Sequence, residues 1–256
     1  MSVGELFITY RDQIPEGVGF KFHGLAHILF LIGIAAFIVT FYRLYKRAGL
    51  RTRRRMRIGV AAAIVLMEAA KQIIVAALGV YTWDLLPLHL CGMSIFLIAI
   101  HAAYPNKAVG EILYSLSIPG AVSALLFADW TMYPILNIFC LQSFFIHMLE
   151  LTYPFMLLGT GEIRPSVKRL WVPSLYLLVT VPIIYHLNHA LDTNFFFINE
   201  SSPGSPMALL ETFLGNPGYV FGTIGILVFI WIVMYAPIVI MHRRRKKKRA
   251  GAKIAS

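Results

Sequence analysis

Seven predominantly apolar segments alternate with short polar or basic connectors along the chain, at about 22–43, 58–80, 86–103, 108–127, 133–158, 168–190 and 218–241. Each is close to the roughly 20 residues a helix needs to cross a bilayer. The pattern predicts an all-α fold, a polytopic bundle of seven transmembrane helices. Residues 1–242 form a single transmembrane domain in this reading, and 243–256 form a basic cytoplasmic tail. The first segment lacks a signal-peptide cleavage pattern and is too long for a signal h-region, so it is expected to stay as a span.

Composition narrows the class. The chain has 256 residues, 58% hydrophobic and 14% charged, with two cysteines; its mean hydropathy is +0.71. Soluble domains carry about a quarter charged residues, so a water-soluble globule is excluded. The apolar and aromatic content excludes disorder, and two cysteines exclude a disulfide scaffold.

A net charge of +11 would suit a nucleic-acid binder, but its distribution argues otherwise. Arg43 to Arg57 and Arg243 to Lys253 each hold eight of the 23 Lys and Arg residues, and both clusters abut apolar runs. They read as cytoplasmic anchors that set orientation and attract anionic headgroups. No nucleic-acid motif accompanies them. With the basic connectors inside, one face collects 20 of the 23 cations. The N-terminus is then outside and the C-terminus cytoplasmic, in a multi-pass protein of the cell membrane.

The outer segment 191–217 is rich in Asn, Ser, Gly and Pro, and carries the aromatic trio Phe195–Phe197. Such a loop is either a lid over a binding site or a connector without a task.

Ionisable groups inside spans are costly, so each is a candidate for function. Glu68, Lys71 and Gln72 share one face of the second helix, an arrangement that also suits a structural ion pair. In the fifth, Cys140, Ser143, His147 and Glu150 recur at intervals of three, four and three and form one stripe, with Gln142 beside it. An imidazole near a carboxylate is how a general base is often oriented, and interhelical hydrogen bonding is the plainer use. His23, His27, His89, His186 and His189 gather at outer helix ends. No HExxH, paired CxxC or carboxylate-rich motif accompanies them, so neither metal nor cofactor is expected.

The run Leu86-Pro-Leu-His-Leu-Cys91 resembles the signature of the YwaF-like bacterial integral membrane proteins. Gln142-Ser-Phe-Phe-Ile-His147 resembles their second signature, although Met148 stands where a second histidine is common. Asp192-Thr-Asn194 with Pro203, and Asn216-Pro-Gly-Tyr219, resemble the family's outer-loop motif. That group is similar in turn to the eukaryotic transmembrane protein 164 family, acyltransferases of ether phospholipids with an essential cysteine. The resemblance implies that Cys91 accepts the acyl group and His147 is its base. Membrane phospholipids and lysophospholipids would be the partners.

The chemistry asks for a base, because a thiol in apolar surroundings is a poor nucleophile. His89 is two residues from Cys91 and faces another way on a regular helix. By helical rise, His147 lies about 21 Å below Tyr133, whereas Cys91 lies about 7–8 Å below the start of its helix. Depth therefore favours His27, and both histidines stand as candidate bases. Asn188, Asn194 or the Gly92 backbone are candidate oxyanion donors, with Gln142 and Glu150 as substrate contacts. The rival function is a transporter or channel whose polar path is lined by Glu68, Lys71, His147 and Glu150.

Overall fold

The computed structural model describes residues 3–254, with side chains for 4–11 and 13–241. It is helical, with no strand among the described residues. The elements are α1 (Val3–Ile8), α2 (Leu25–Arg47), α3 (Leu50–Ala77), α4 (Leu90–Ala103), α5 (Lys107–Ile112), α6 (Ile118–Leu126), α7 (Ile138–Thr160), α8 (Trp171–Leu191), α9 (Pro206–Leu214) and α10 (Gly218–Ile254). A π-helical stretch, Leu113–Ser117, joins α5 to α6 in one rod. It lies just ahead of Pro119, whose ring cannot supply an N–H to a regular ladder.

Five segments among the described residues are long and apolar enough to cross a membrane: Leu25–Arg47, Leu50–Ala77, Lys107–Leu126, Val167–Leu191 and Gly218–Met241. The remaining two of the seven expected segments became α4, only 14 residues long, and α7, with 23 residues and the polar stripe. α7 and the Lys107–Leu126 rod are the most buried parts of the bundle, and α4 packs beside them with Phe96 and Ile100 left exposed. α7 packs against α2, α3, α4 and α6, and buries Phe144, His147, Glu150 and Tyr153 among others. Many large apolar side chains point outward, with Leu29, Leu66, Ile73, Leu178, Phe221 and Ile232 all exposed. Hydrocarbon is the solvent for such a surface, so the polar groups turn inward and the apolar ones face lipid.

Three boundaries depart from expectation. The connector expected at 44–57 is a tight turn at Ala48–Gly49, because helix continues through the basic residues of α3. The segment 191–217, expected as an outer loop, contains a helix, α9, started by Ser205, whose Oγ accepts from the Met207 and Ala208 N–H groups. α7 begins at Ile138 and not near 133, since Asn137 caps it by accepting from Phe139 N–H while its amide donates to Leu6 and Thr9 carbonyls. The basic run from Arg243 to Lys253 lies outside the described side chains.

At the end nearest the α2–α3 turn, the carboxylates are paired, the buried Glu111 and the exposed Glu162 alike. Glu111 accepts from Arg169 Nε at 2.8 Å, Ser166 N–H at 2.9 Å and Tyr235 O–H at 2.6 Å. Glu162 accepts from Tyr45, Thr160 and Arg57. Beyond Glu150, the next turns of α7 bury Tyr153, Met156 and Leu157 in an apolar cluster with Ile64, Ile98 and Leu113. The polar stripe of α7 stops there.

Candidate functional site

The site is built at the N-terminus of α4. A Cβ on Gly92 would lie 2.5 Å from the Pro87 carbonyl carbon, so only glycine lets the incoming chain fold back onto the helix. Cys91 is therefore the second residue of a helix whose cap, His89, makes no side-chain capping bond. The first-turn amides of α4 are directed toward any negative charge that develops nearby. Gly120 of α6 leaves room beside the sulfur, because a Cβ there would lie 3.8 Å from Cys91 Sγ.

α7 supplies the other groups. His147 and Glu150 are three residues apart on one face. The His147 Nδ1–H donates to the Ser143 carbonyl at 2.6 Å, which leaves the lone pair on Nε2. The indole of Trp130 stacks on the imidazole at 5.2 Å with an interplanar angle of 11°. Polar atoms of Cys91, His147 and Glu150 all lie within 4.8 Å of one another. Glu150 is 1% exposed, and neither of its oxygens has a hydrogen-bond partner. The Trp130 Nε1–H is likewise buried without one. All four residues line a cleft of about 270 Å³, together with His89, Gln142, Lys71, Glu68 and Phe197.

Cys91 and His147 meet despite the depth mismatch expected from the sequence. α7 starts five residues later than assumed, so His147 is about 13.5 Å from its helix start by helical rise. α4, at 14 residues, is only about 21 Å long, short of the roughly 30 Å hydrocarbon core, so its helix can start inside the bundle after the non-helical residues 86–89 have entered it. His27 is occupied elsewhere: its Nδ1 accepts from His23 N–H at 3.2 Å, and its Nε2–H donates to the Leu125 carbonyl at 2.9 Å. It does not line the cleft, and neither do Asn188 and Asn194.

Those two asparagines organise the loop instead. Asn188 Oδ1 accepts from Phe195 N–H and Thr193 O–H, while its amide donates to the Phe195 carbonyl. Asn194 bonds Asn199 N–H, Glu200 N–H and the Glu200 carbonyl. They hold a strained turn, since Phe196 (φ 61°) and Phe197 (φ 51°) are left-handed, a conformation bulky residues avoid. His89 sits between the rings of Phe195 and Phe197 and accepts from Phe196 N–H at 3.3 Å. Tyr219 O–H donates to the Phe197 carbonyl at 2.8 Å. Strain of about 1–3 kcal/mol per residue persists only where several partners enforce it, and such places concentrate at functional sites.

Glu68 and Lys71 form the ion pair that their spacing suggests, at 2.9 Å, and Gln72 also donates to Glu68 at 2.6 Å. Trp130 was invisible as a site residue, because a tryptophan between two spans reads as an interfacial aromatic. Asp129 beside it lines the cleft as well; burial pushes its carboxyl above the ordinary range, with Arg11 opposing.

A bundle with a lipid-facing apolar exterior and a thiol–imidazole–carboxyl cluster on its central helices is a multi-pass membrane protein with a candidate nucleophile site. The family model described as the TMEM164 family matches residues 22–235. The chain belongs to the TMEM164 family. No curated protein and no solved structure matches it.

Proposed function

We propose that the protein is a membrane-embedded acyltransferase acting on phospholipids and lysophospholipids through an acyl-thioester on Cys91. The supporting observation is the meeting of Cys91, His147 and Glu150 within 4.8 Å on the wall of a cleft of about 270 Å³. The family resemblance carried by Leu86–Cys91 and Gln142–His147 supports the same reading, and those motifs suit a YwaF-like bacterial branch. In the working topology α4 and α7 complete seven spans, with the N-terminus outside, the C-terminus cytoplasmic and the protein resident in the cell membrane.

His147 Nε2 takes the thiol proton as Cys91 Sγ attacks an ester carbonyl of the donor lipid. The oxyanion is met by the first-turn amides of α4 and by the unpartnered Trp130 Nε1–H. Collapse breaks the ester C–O bond, and the departing lysolipid oxygen takes the proton from His147. A second lysolipid hydroxyl, held by Glu150 and Gln142, then gives its proton to His147 and attacks the thioester. The thiolate leaves and recovers the proton. The loop clamped by Asn188 and His89 limits water, which would divert transfer into hydrolysis.

Trapping with a radiolabelled acyl donor should give a hydroxylamine-sensitive adduct on wild type and none on Cys91→Ala. That substitution should leave thermal stability within about 1 kcal/mol, since it removes one small partly exposed group. Cys140→Ala is the matched control and should keep the adduct. Full lipid-remodelling activity in Cys91→Ala would defeat the thioester mechanism. Lipid profiles of cells with and without the protein identify the donor and acceptor.

A further inference from the structure

The carboxyl of Glu150 poses a physical problem that acyl transfer only partly answers. It is 1% exposed with both oxygens unpartnered, a state that costs several kcal/mol unless a positive or hydrogen-bonding group arrives. A sulfur and an imidazole nitrogen lie within 4.8 Å of it. The imidazole is held in one orientation: its Nδ1–H donates to the Ser143 backbone carbonyl at 2.6 Å. A metal-ligating histidine is ordinarily held by such a bond, which fixes the tautomer and turns the lone pair inward.

We infer that Cys91, His147 and Glu150 form a binding site for a divalent cation of the zinc class. The donor set is one sulfur, one nitrogen and one oxygen, with the fourth position facing the cleft. Three protein ligands and one open position are the pattern of zinc sites that keep room for water or substrate. Ordinary zinc–ligand bond lengths place tetrahedral donors about 3.3–3.7 Å apart. Closing from 4.8 Å therefore takes movements of about 1 Å, within reach of the Cys91 and Glu150 side-chain torsions. A thiolate, a carboxylate and a neutral imidazole sum with the dication to zero charge, which is what an apolar surrounding requires. Binding releases the thiol proton, and the proton of the buried carboxyl where it holds one, through the cleft to water. The sulfur disfavours magnesium and calcium, which take oxygen ligands.

The bound cation and an acyl group contend for the same sulfur. That consequence rests on the acyltransferase reading; the binding site itself does not. The metal-loaded protein is then a resting form in which Cys91 is shielded.

The test uses full-length protein carrying a tag without histidines, stripped with a chelator and titrated with Zn²⁺ or Co²⁺ alone in nanodiscs. Wild type should take up about one equivalent, with a thiolate-to-cobalt charge-transfer band that marks a sulfur ligand. Cys91→Ala should lose the band and weaken binding by at least about 100-fold, and Glu150→Gln should weaken it by about 10-fold or more. Glu150→Gln guards against misfolding as the explanation, because it removes no hydrogen bond. Zn²⁺ should slow alkylation of Cys91 at least tenfold in wild type and not in Glu150→Gln, with reversal by chelator. Absence of the cobalt–thiolate band in wild type overturns the site. So does uptake that is undiminished in both variants, which would move the cation elsewhere, for example to the stacked His23–His27 pair. Acyl-adduct trapping is read separately after chelation. Metal binding without an adduct defeats the acyl reading alone, and an adduct without metal binding defeats this inference alone.

Discussion

Glu111 and Glu150 are the same residue type, each 1% exposed in the same bundle, yet their surroundings are opposite. Glu111 accepts hydrogen bonds from three donors, one of them a guanidinium. Glu150 has none and faces a thiol and an imidazole across a cleft. Burial alone therefore says little about what a charged group does in a membrane bundle. The difference lies in partners. The paired carboxylate ties α5 to α10 and to the segment just ahead of α8, and the unpaired one is left available to something that enters.

The comparison breaks most readily through stability. Glu111→Ala should lower unfolding stability by about 2–4 kcal/mol, because it leaves Arg169, Ser166 N–H and Tyr235 without their acceptor. Glu150→Gln in metal-free protein should move stability by no more than about 1 kcal/mol, since no bond is lost. Thermal unfolding in one detergent reads both. Similar losses in the two variants would show that Glu150 is structural after all.

A smaller effect sharpens the contrast at the loop. Asn188→Ala removes three hydrogen bonds and should cost about 1–3 kcal/mol. It should also raise the rate at which a small maleimide labels Cys91, because Phe197 and the loop shield the cleft. An unchanged labelling rate would remove the shielding role. The smallest expected effect is at Glu68 and Lys71, whose side chains are 10% and 20% exposed. Lys71→Ala should destabilise more than Glu68→Gln with Lys71→Met, by about 1 kcal/mol, as the single change leaves a carboxylate supported only by Gln72. Equal melting shifts would mean that the pair adds nothing beyond the Gln72 bond.

Much of this organisation is legible in the order of residues. Apolar segment length identifies a membrane bundle, because hydrocarbon thickness sets how many residues a crossing helix needs. The helical period places His147 and Glu150 on one face, and the i, i+3 spacing pairs Glu68 with Lys71. Cys91 stands out through its motif, next to the glycine that the Pro87 fold-back demands.

Other features depend on where helices start and how they cross. The choice of His147 over His27 beside Cys91 follows from the late start of α7 at Asn137 and the shortness of α4. Neither boundary can be read from hydropathy, because a cap is a matter of local hydrogen bonds. Asn188 and Asn194 have the chemistry of oxyanion donors, and only the folded loop commits them to its own strained turn. Trp130 becomes a wall of the site by stacking on an imidazole 17 positions further along, a contact with no periodic signature. Above all, Glu111 and Glu150 are alike on paper. Which one is satisfied and which is left open depends on donors that α10 and the segment ahead of α8 bring from 55 to 124 residues away, and tertiary packing alone delivers them.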